Sequence, residues 1–167
     1  VFVRSMIAHG EIQSIDTDEA KEMPGVAAVY TAADLGLTAE APGNPMLNQG
    51  MTRSWLATDR VRYVGEPYAV TLAETVAQAV DAAELVWADI EPLDVVTTIP
   101  DAMAEEILLF PEVGTNRSFQ MPSKEAGDIT DGCEVVVELE FTNPRLSVAP
   151  IEPRATVAEW NGDHLTV

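Results

Sequence analysis

RVRYVGEPYAVTLAETVAQAVDAAELVWADIEPLDVV, residues 60–96, holds the longest apolar run, the clearest helix and the sharpest turn of the chain. Val61 to Val64 reads as the end of a strand. Gly65-Glu66-Pro67 breaks it, because glycine tolerates positive φ and proline cannot donate to a ladder. Tyr68 to Ala73 (YAVTLA) is short and almost wholly apolar, which predicts a strand buried on both faces. Thr75-Val76-Ala77-Gln78 fits a capping box, with Thr75 as N-cap and Gln78 reaching back to its amide. Val76, Ala77, Val80, Ala83 and Val86 form the predicted buried stripe of the helix that follows; Thr75, Gln78, Asp81 and Glu84 form the wet one. About 11 residues give a rod of roughly 16 Å. Trp87 to Ile90 returns as strand and Pro92 halts it. The alanines let a sheet approach closely, so the unit reads as scaffold; it carries no Cys, no His and no phosphate loop.

The whole chain has 167 residues, with 28 acidic and 9 basic side chains and a net charge of −19. That balance argues against nucleic acid, whose backbone demands Lys and Arg, and against an anionic membrane surface. Ten of the acids fall between Asp101 and Glu140, against Arg117 and Lys124 alone. Without a D-x-D-x-D-G loop they read as a solvated acidic surface rather than an ion site. The single cysteine, Cys133, excludes a disulfide framework and any iron–sulfur or zinc site built from this chain alone, and reads as a small buried apolar residue. His9 and His164 are too few and too far apart for a metal pair; His9 follows a strand and reads as a hydrogen-bonded structural histidine. No apolar run reaches the length of a membrane span and no signal peptide is visible, which predicts a cytoplasmic protein without membrane insertion.

Outward from the central stretch, Phe2 to Ile7 and the alternating Glu11 to Ile15 are strand candidates. Asp16 or Thr17 caps a short helix over Asp18–Glu22, Pro24-Gly25 turns, and Val26 to Tyr30 is a strand. Thr31-Ala32-Ala33-Asp34 repeats the capping pattern. Leu37 to Gly50 is a long loop and Trp55 to Asp59 leads into the central unit. Pro100 to Asp131, with three prolines and much acid, reads as an extended linker. Cys133 to Phe141 (CEVVVELEF) predicts a strand with Val135, Val137 and Leu139 on one face. Leu146 to Ala149, Arg154 to Trp160 and Leu165 onward predict an antiparallel meander. The chain opens on Val1-Phe2-Val3 and closes on His164-Leu165-Thr166-Val167, both strand-like, which reads as a piece of a longer polypeptide.

Several of these stretches, in order, resemble the large, molybdopterin-binding subunit of the molybdenum hydroxylases, the family of xanthine dehydrogenase, aldehyde oxidase and the carbon monoxide dehydrogenase large chain. They include Val3-Arg4-Ser5 with Ala8-His9, Ile15-Asp16-Thr17, Pro24-Gly25-Val26 and Tyr30-Thr31-Ala32-Ala33-Asp34-Leu35. Further along come Leu56-Ala57-Thr58-Asp59-Arg60-Val61, Tyr63-Val64-Gly65-Glu66-Pro67, Ile90-Glu91-Pro92-Leu93, Gly127-Asp128, Val135-Val136-Val137-Glu138 and Ala149-Pro150-Ile151-Glu152-Pro153-Arg154. Each tag alone is weak; their succession is specific.

The resemblance implies an α+β chain. Residues 1–98 would form an α/β-hammerhead domain, a mixed sheet with two helices. Residues 99–131 would be an acidic linker and 132–167 the truncated start of the molybdopterin-binding domain. It implies a parent oxidoreductase that hydroxylates an aldehyde, an aza-heterocycle or carbon monoxide with a molybdopterin cofactor, in a dinucleotide form. Iron–sulfur and flavin subunits or domains would be partners, and the full assembly a homodimer. The glycine-rich phosphate loop, the substrate loop and the glutamate base of the family would lie beyond residue 167. No catalytic or metal residue is therefore assigned, and no cofactor is expected on these residues alone. Glu152-Pro153-Arg154, near Arg145, is the one suggestive charged cluster, and reads as a structural ion pair rather than a funnel lining. The alternative to an enzyme module is a free-standing hammerhead-fold binding or maturation module.

Overall fold

The structure is a computed structural model that describes residues 1–121, 130–144, 146–152 and 155–167. Its elements run β1 (Phe2–Arg4), β2 (Gly10–Asp16), α1 (Asp18–Lys21), β3 (Val26–Thr31), β4 (Arg60–Val61), β5 (Pro67–Ala73), α2 (Val76–Glu84), β6 (Trp87–Pro92), α3 (Ile99–Ala104), β7 (Glu159–Asn161) and β8 (His164–Thr166). They fall into two units, Val1–Pro122 and Ser123–Val167.

In the first unit β5 is the middle strand of a β1-β5-β3 sheet, and β2 the middle strand of a β4-β2-β6 sheet. Every pairing is antiparallel, so the α+β class holds with two antiparallel sheets where one mixed sheet was expected. The period of two separates the faces of β1-β5-β3. Val3 lies opposite Ala69, and Val29 opposite Thr71; all four are buried. They form the inner face, against which α2 packs.

Helix α2 begins as expected: the Thr75 hydroxyl accepts from the Gln78 amide, and the Gln78 side chain accepts from the Thr75 amide at 3.0 Å. Gln78 also donates to the Pro24 carbonyl, fixing the turn before β3. Gly25 in that turn has φ of 81°, and a Cβ there would stand 2.0 Å from the Gln78 amide nitrogen. The positive φ demands glycine, and a Cβ there would push the Gln78 side chain off its contacts.

The phase of α2 differs from expectation. Of the expected stripe, Val86 is buried and Ala83 partly so, but Ala79 and Ala82 are buried beside them, whereas Val76, Ala77 and Val80 face outward. The reason is proximity. The buried Thr71 hydroxyl on β5 donates to the Ala79 carbonyl at 2.8 Å, which draws the helix close to the strand where the small side chains of Ala79 and Ala82 are buried. Hydrophobicity favoured the valines; the width of the gap selects the alanines.

Two further expectations are corrected. The segment read as an extended linker from Pro100 starts inside α3, whose N-cap Thr98 accepts from the Asp101 amide. Asn116 then ties the loop that follows: it accepts from the Leu109 amide and donates to the carbonyls of Ile107 and Ala102. In the second unit, Cys133 to Phe141 takes no strand form, nor does Leu146 to Ala149. Among the described residues no ladder partners them, and Val135, Val137 and Leu139 are exposed. Alternation specifies a strand only where another strand completes its hydrogen bonds. The expected meander reduces to the β7–β8 hairpin around Gly162-Asp163, with Asn161 opposite His164.

Candidate functional site

Two features of the first unit stand apart from its core. One is a buried acid. Glu66, in the turn after β4, is 4% exposed, and its carboxylate accepts from the Arg62 amide at 2.5 Å. Burial raises its pKa, opposed by that hydrogen bond and by the nearby Arg62 and Arg53 charges. The Arg62 guanidinium reaches the other way. It donates to the Leu109 carbonyl at 3.0 Å and lies 4.6 Å from the centre of the Phe110 ring, so one residue clamps the β4–β5 turn to the loop after α3. Beyond that clamp a polar hollow of about 440 Å³ opens between Asn48 and the segment from Thr115 to Gln120, with Glu105 and Arg117 on its wall. Both charges are engaged there, Glu105 accepting from Thr115 and Arg117 donating to Gln120.

The other feature is the outer face of β1-β5-β3. Phe2 and Tyr30 are each paired opposite Val70, and Leu72 follows two residues on, so these four side chains share one surface. Trp55, 77% exposed, stands beside them. Together with Leu37 they line a hollow of about 530 Å³ in which, among the described residues, Arg4 is the single charged side chain. The strand β5 is thus open on this side at Leu72 and half-buried at Val70, while Tyr68 is buried. Its outward Leu72 reads from sequence as core, because alternation is hidden when both sets are apolar.

The sequence-derived candidates do not converge. His9 is buried and its Nδ1 donates to the Asp94 carbonyl at 2.7 Å, the structural role expected of it. Cys133 is exposed, not buried, and the strand it was expected to open does not form. Glu152 is exposed, and Arg145, Arg154, Pro153, Gly127 and Asp128 lie outside the described residues. His164 sits exposed on β8. Among the described residues no cluster of His, Cys, Asp or Glu could hold a metal ion, and no helix is long and apolar enough to cross a membrane. The helix N-termini, ordinary seats for a phosphate, are taken by the chain's own side chains: Thr75 and Gln78 at α2, Thr98 and Asp101 at α3, Asp16 at α1. Among the described residues, no helix N-terminus is left open to the phosphates of a molybdopterin.

Fold and site together define a two-sheet α+β unit with an apolar outer face on one sheet. Residues 1–94 match the family described as aldehyde oxidase and xanthine dehydrogenase, a/b hammerhead domain, and the chain belongs to it. Its relatives are molybdenum hydroxylase large subunits. The nicotine 6-hydroxylase large subunit of Paenarthrobacter nicotinovorans is 36% identical across 98% of this chain and 21% of its own length. The carbon monoxide dehydrogenase large chain of Afipia carboxidovorans is 36% identical across 96% and 22%. Among solved structures, the aldehyde oxidoreductase of Desulfovibrio desulfuricans superposes with a TM-score of 0.60 at 31% identity, over 70% of this chain and 13% of that one. The chain thus spans about a fifth of the length of the curated relatives it matches.

Proposed function

We propose that these 167 residues are the hammerhead module and adjoining segment of a molybdenum hydroxylase large subunit, structural in role and inactive alone. The observation that carries this reading is the match to the nicotine hydroxylase large subunit, which runs through almost all of this chain yet fills only 21% of that protein. Residues 1–98 are the hammerhead, 99–131 the connection and 132–167 the start of the molybdopterin-binding domain. The parent is a cytoplasmic oxidoreductase that inserts a water-derived oxygen at an electron-poor carbon of an aldehyde, an aza-heterocycle or carbon monoxide. It carries molybdopterin in a dinucleotide form, works with iron–sulfur and flavin partners, and assembles as a homodimer. Relatives named as a large subunit, a large chain and the gamma subunit of a dehydrogenase complex support the partnership.

The test is expression of the full reading frame with its neighbouring subunits, followed by assays against aldehydes, aza-heterocycles and carbon monoxide. Oxidation of one class by the assembly, and of none by residues 1–167 alone, is the expected result. An assembly inert toward all three, or turnover by residues 1–167 alone, overturns the reading.

A further inference from the structure

We propose that Asn161 is a site of spontaneous covalent modification: deamidation through a cyclic imide closed by the backbone nitrogen of Gly162. The chain holds five asparagines, and only Asn161 is followed by glycine. Asn44 and Asn143 precede Pro45 and Pro144, whose nitrogens carry no hydrogen to lose in such a closure. Asn48 and Asn116 precede Gln49 and Arg117, whose side chains crowd the attacking nitrogen. Their own side chains are also engaged. The Asn48 Oδ1 accepts from the Gly50 amide at 3.0 Å, and Asn116 accepts from Leu109 and donates to Ile107 and Ala102.

Asn161 is exposed at the end of β7 and faces His164 across the two-residue loop Gly162-Asp163. Gly162 has φ of 62° and takes the first central position, where a type II′ hairpin turn seats glycine. Among the described residues nothing accepts from the Gly162 amide, and no hydrogen bond holds the Asn161 side chain. A Cβ at Gly162 would meet nothing within 4 Å, so water and buffer base reach the nitrogen. A sheet of two strands is marginal alone, so β7–β8 opens often enough for Asn161 to turn its carboxamide onto that nitrogen. In the closure the Gly162 nitrogen bonds to Cγ of Asn161, its proton passes to solvent, and Nδ2 leaves as ammonia. Water then opens the imide at either carbonyl, which yields aspartate or isoaspartate. Either product adds one negative charge to a chain already at −19. Isoaspartate also adds a methylene to the backbone, which breaks the pairing of Asn161 with His164.

Ageing the purified protein in heavy-oxygen water at mildly alkaline pH, followed by peptide mapping with mass spectrometry, tests this. Residue 161 should take up one labelled oxygen roughly tenfold faster than Asn48 or Asn116, with isoaspartate accompanying aspartate in the product. Mapping separates this site from Asp131-Gly132, which closes the same ring with loss of water. Gly162→Ala, which places a methyl group beside the attacking nitrogen, should slow the uptake at residue 161. Labelling of residue 161 no faster than that of Asn48 or Asn116, including none at all, overturns the proposal. Aspartate without isoaspartate overturns it too, because direct hydrolysis of the carboxamide gives aspartate only. An unchanged rate in Gly162→Ala does the same for the part assigned to Gly162.

Discussion

Glu66 sits 4% exposed beneath the β4–β5 turn, and its burial has a consequence for stability that can be signed. Its pKa in the fold is raised, chiefly by desolvation. The folded state therefore holds a proton that the unfolded chain has already released, and Glu66 favours folding at acid pH. That contribution is lost as pH rises from the unfolded value, about 4.3, through the folded one. Glu66→Gln removes the charge but keeps an acceptor for the Arg62 amide. Its melting temperature relative to the parent sequence should become more favourable between about pH 4 and about pH 8. A difference that stays flat across that range would place Glu66 in water. Asp34 works in the opposite sense. Hydrogen bonds from the Thr31 amide and hydroxyl lower its pKa, so its contribution is present at neutral pH and is lost as pH falls. Sequence made Asp34 legible through its spacing from Thr31. It gave Glu66 only as a turn residue, because the burial comes from strands far along the chain.

Helix α2 shows how far local pattern reaches. Its start and its capping box follow from Thr75 and Gln78 alone, while its 9 residues fall short of the length expected. Its rotation does not, since the inward face is set by the Thr71 hydroxyl on a neighbouring strand. Ala82→Asp and Ala79→Asp should each cost several kcal/mol, against a total of roughly 5–15, and unfold the unit. Ala77→Asp, on the exposed side, should shift the melting temperature little. Equal losses for all three variants would mean that the helix packs in another phase. At the turn before β3, Gly25→Ala should exceed the cost of Gln78→Ala, about 1 kcal/mol, because it displaces the Gln78 side chain and adds a strained φ. Thermal melts of the two variants check the order. The segment Cys133 to Phe141 is the reverse case: its alternation is plain in the sequence, yet it has no strand because pairing is not a local property.

For the first unit as a whole, the loop after α3 belongs to the same body as the sheets, held by Arg62 and Asn116. Limited proteolysis should therefore leave a resistant fragment that includes Phe110 and Asn116, longer than one ending near residue 98. Asn116→Ala, which releases three hydrogen bonds, should shorten it. A fragment ending near residue 98 in both proteins would show the clamp to be ineffective. The hammerhead was legible because its tags lie in turns and caps, where few residues satisfy the backbone. The exposed face was not, because Leu72 and Val70 look the same in sequence whether they point inward or outward. The central claim is that these residues are the scaffold of a molybdenum enzyme and not its reaction centre. Metal analysis of the full-length polypeptide and of residues 1–167, purified from one molybdenum-replete host, tests it directly. The account predicts stoichiometric molybdenum in the first and none in the second. A molybdenum-free full-length protein, or stoichiometric metal on residues 1–167, would contradict it.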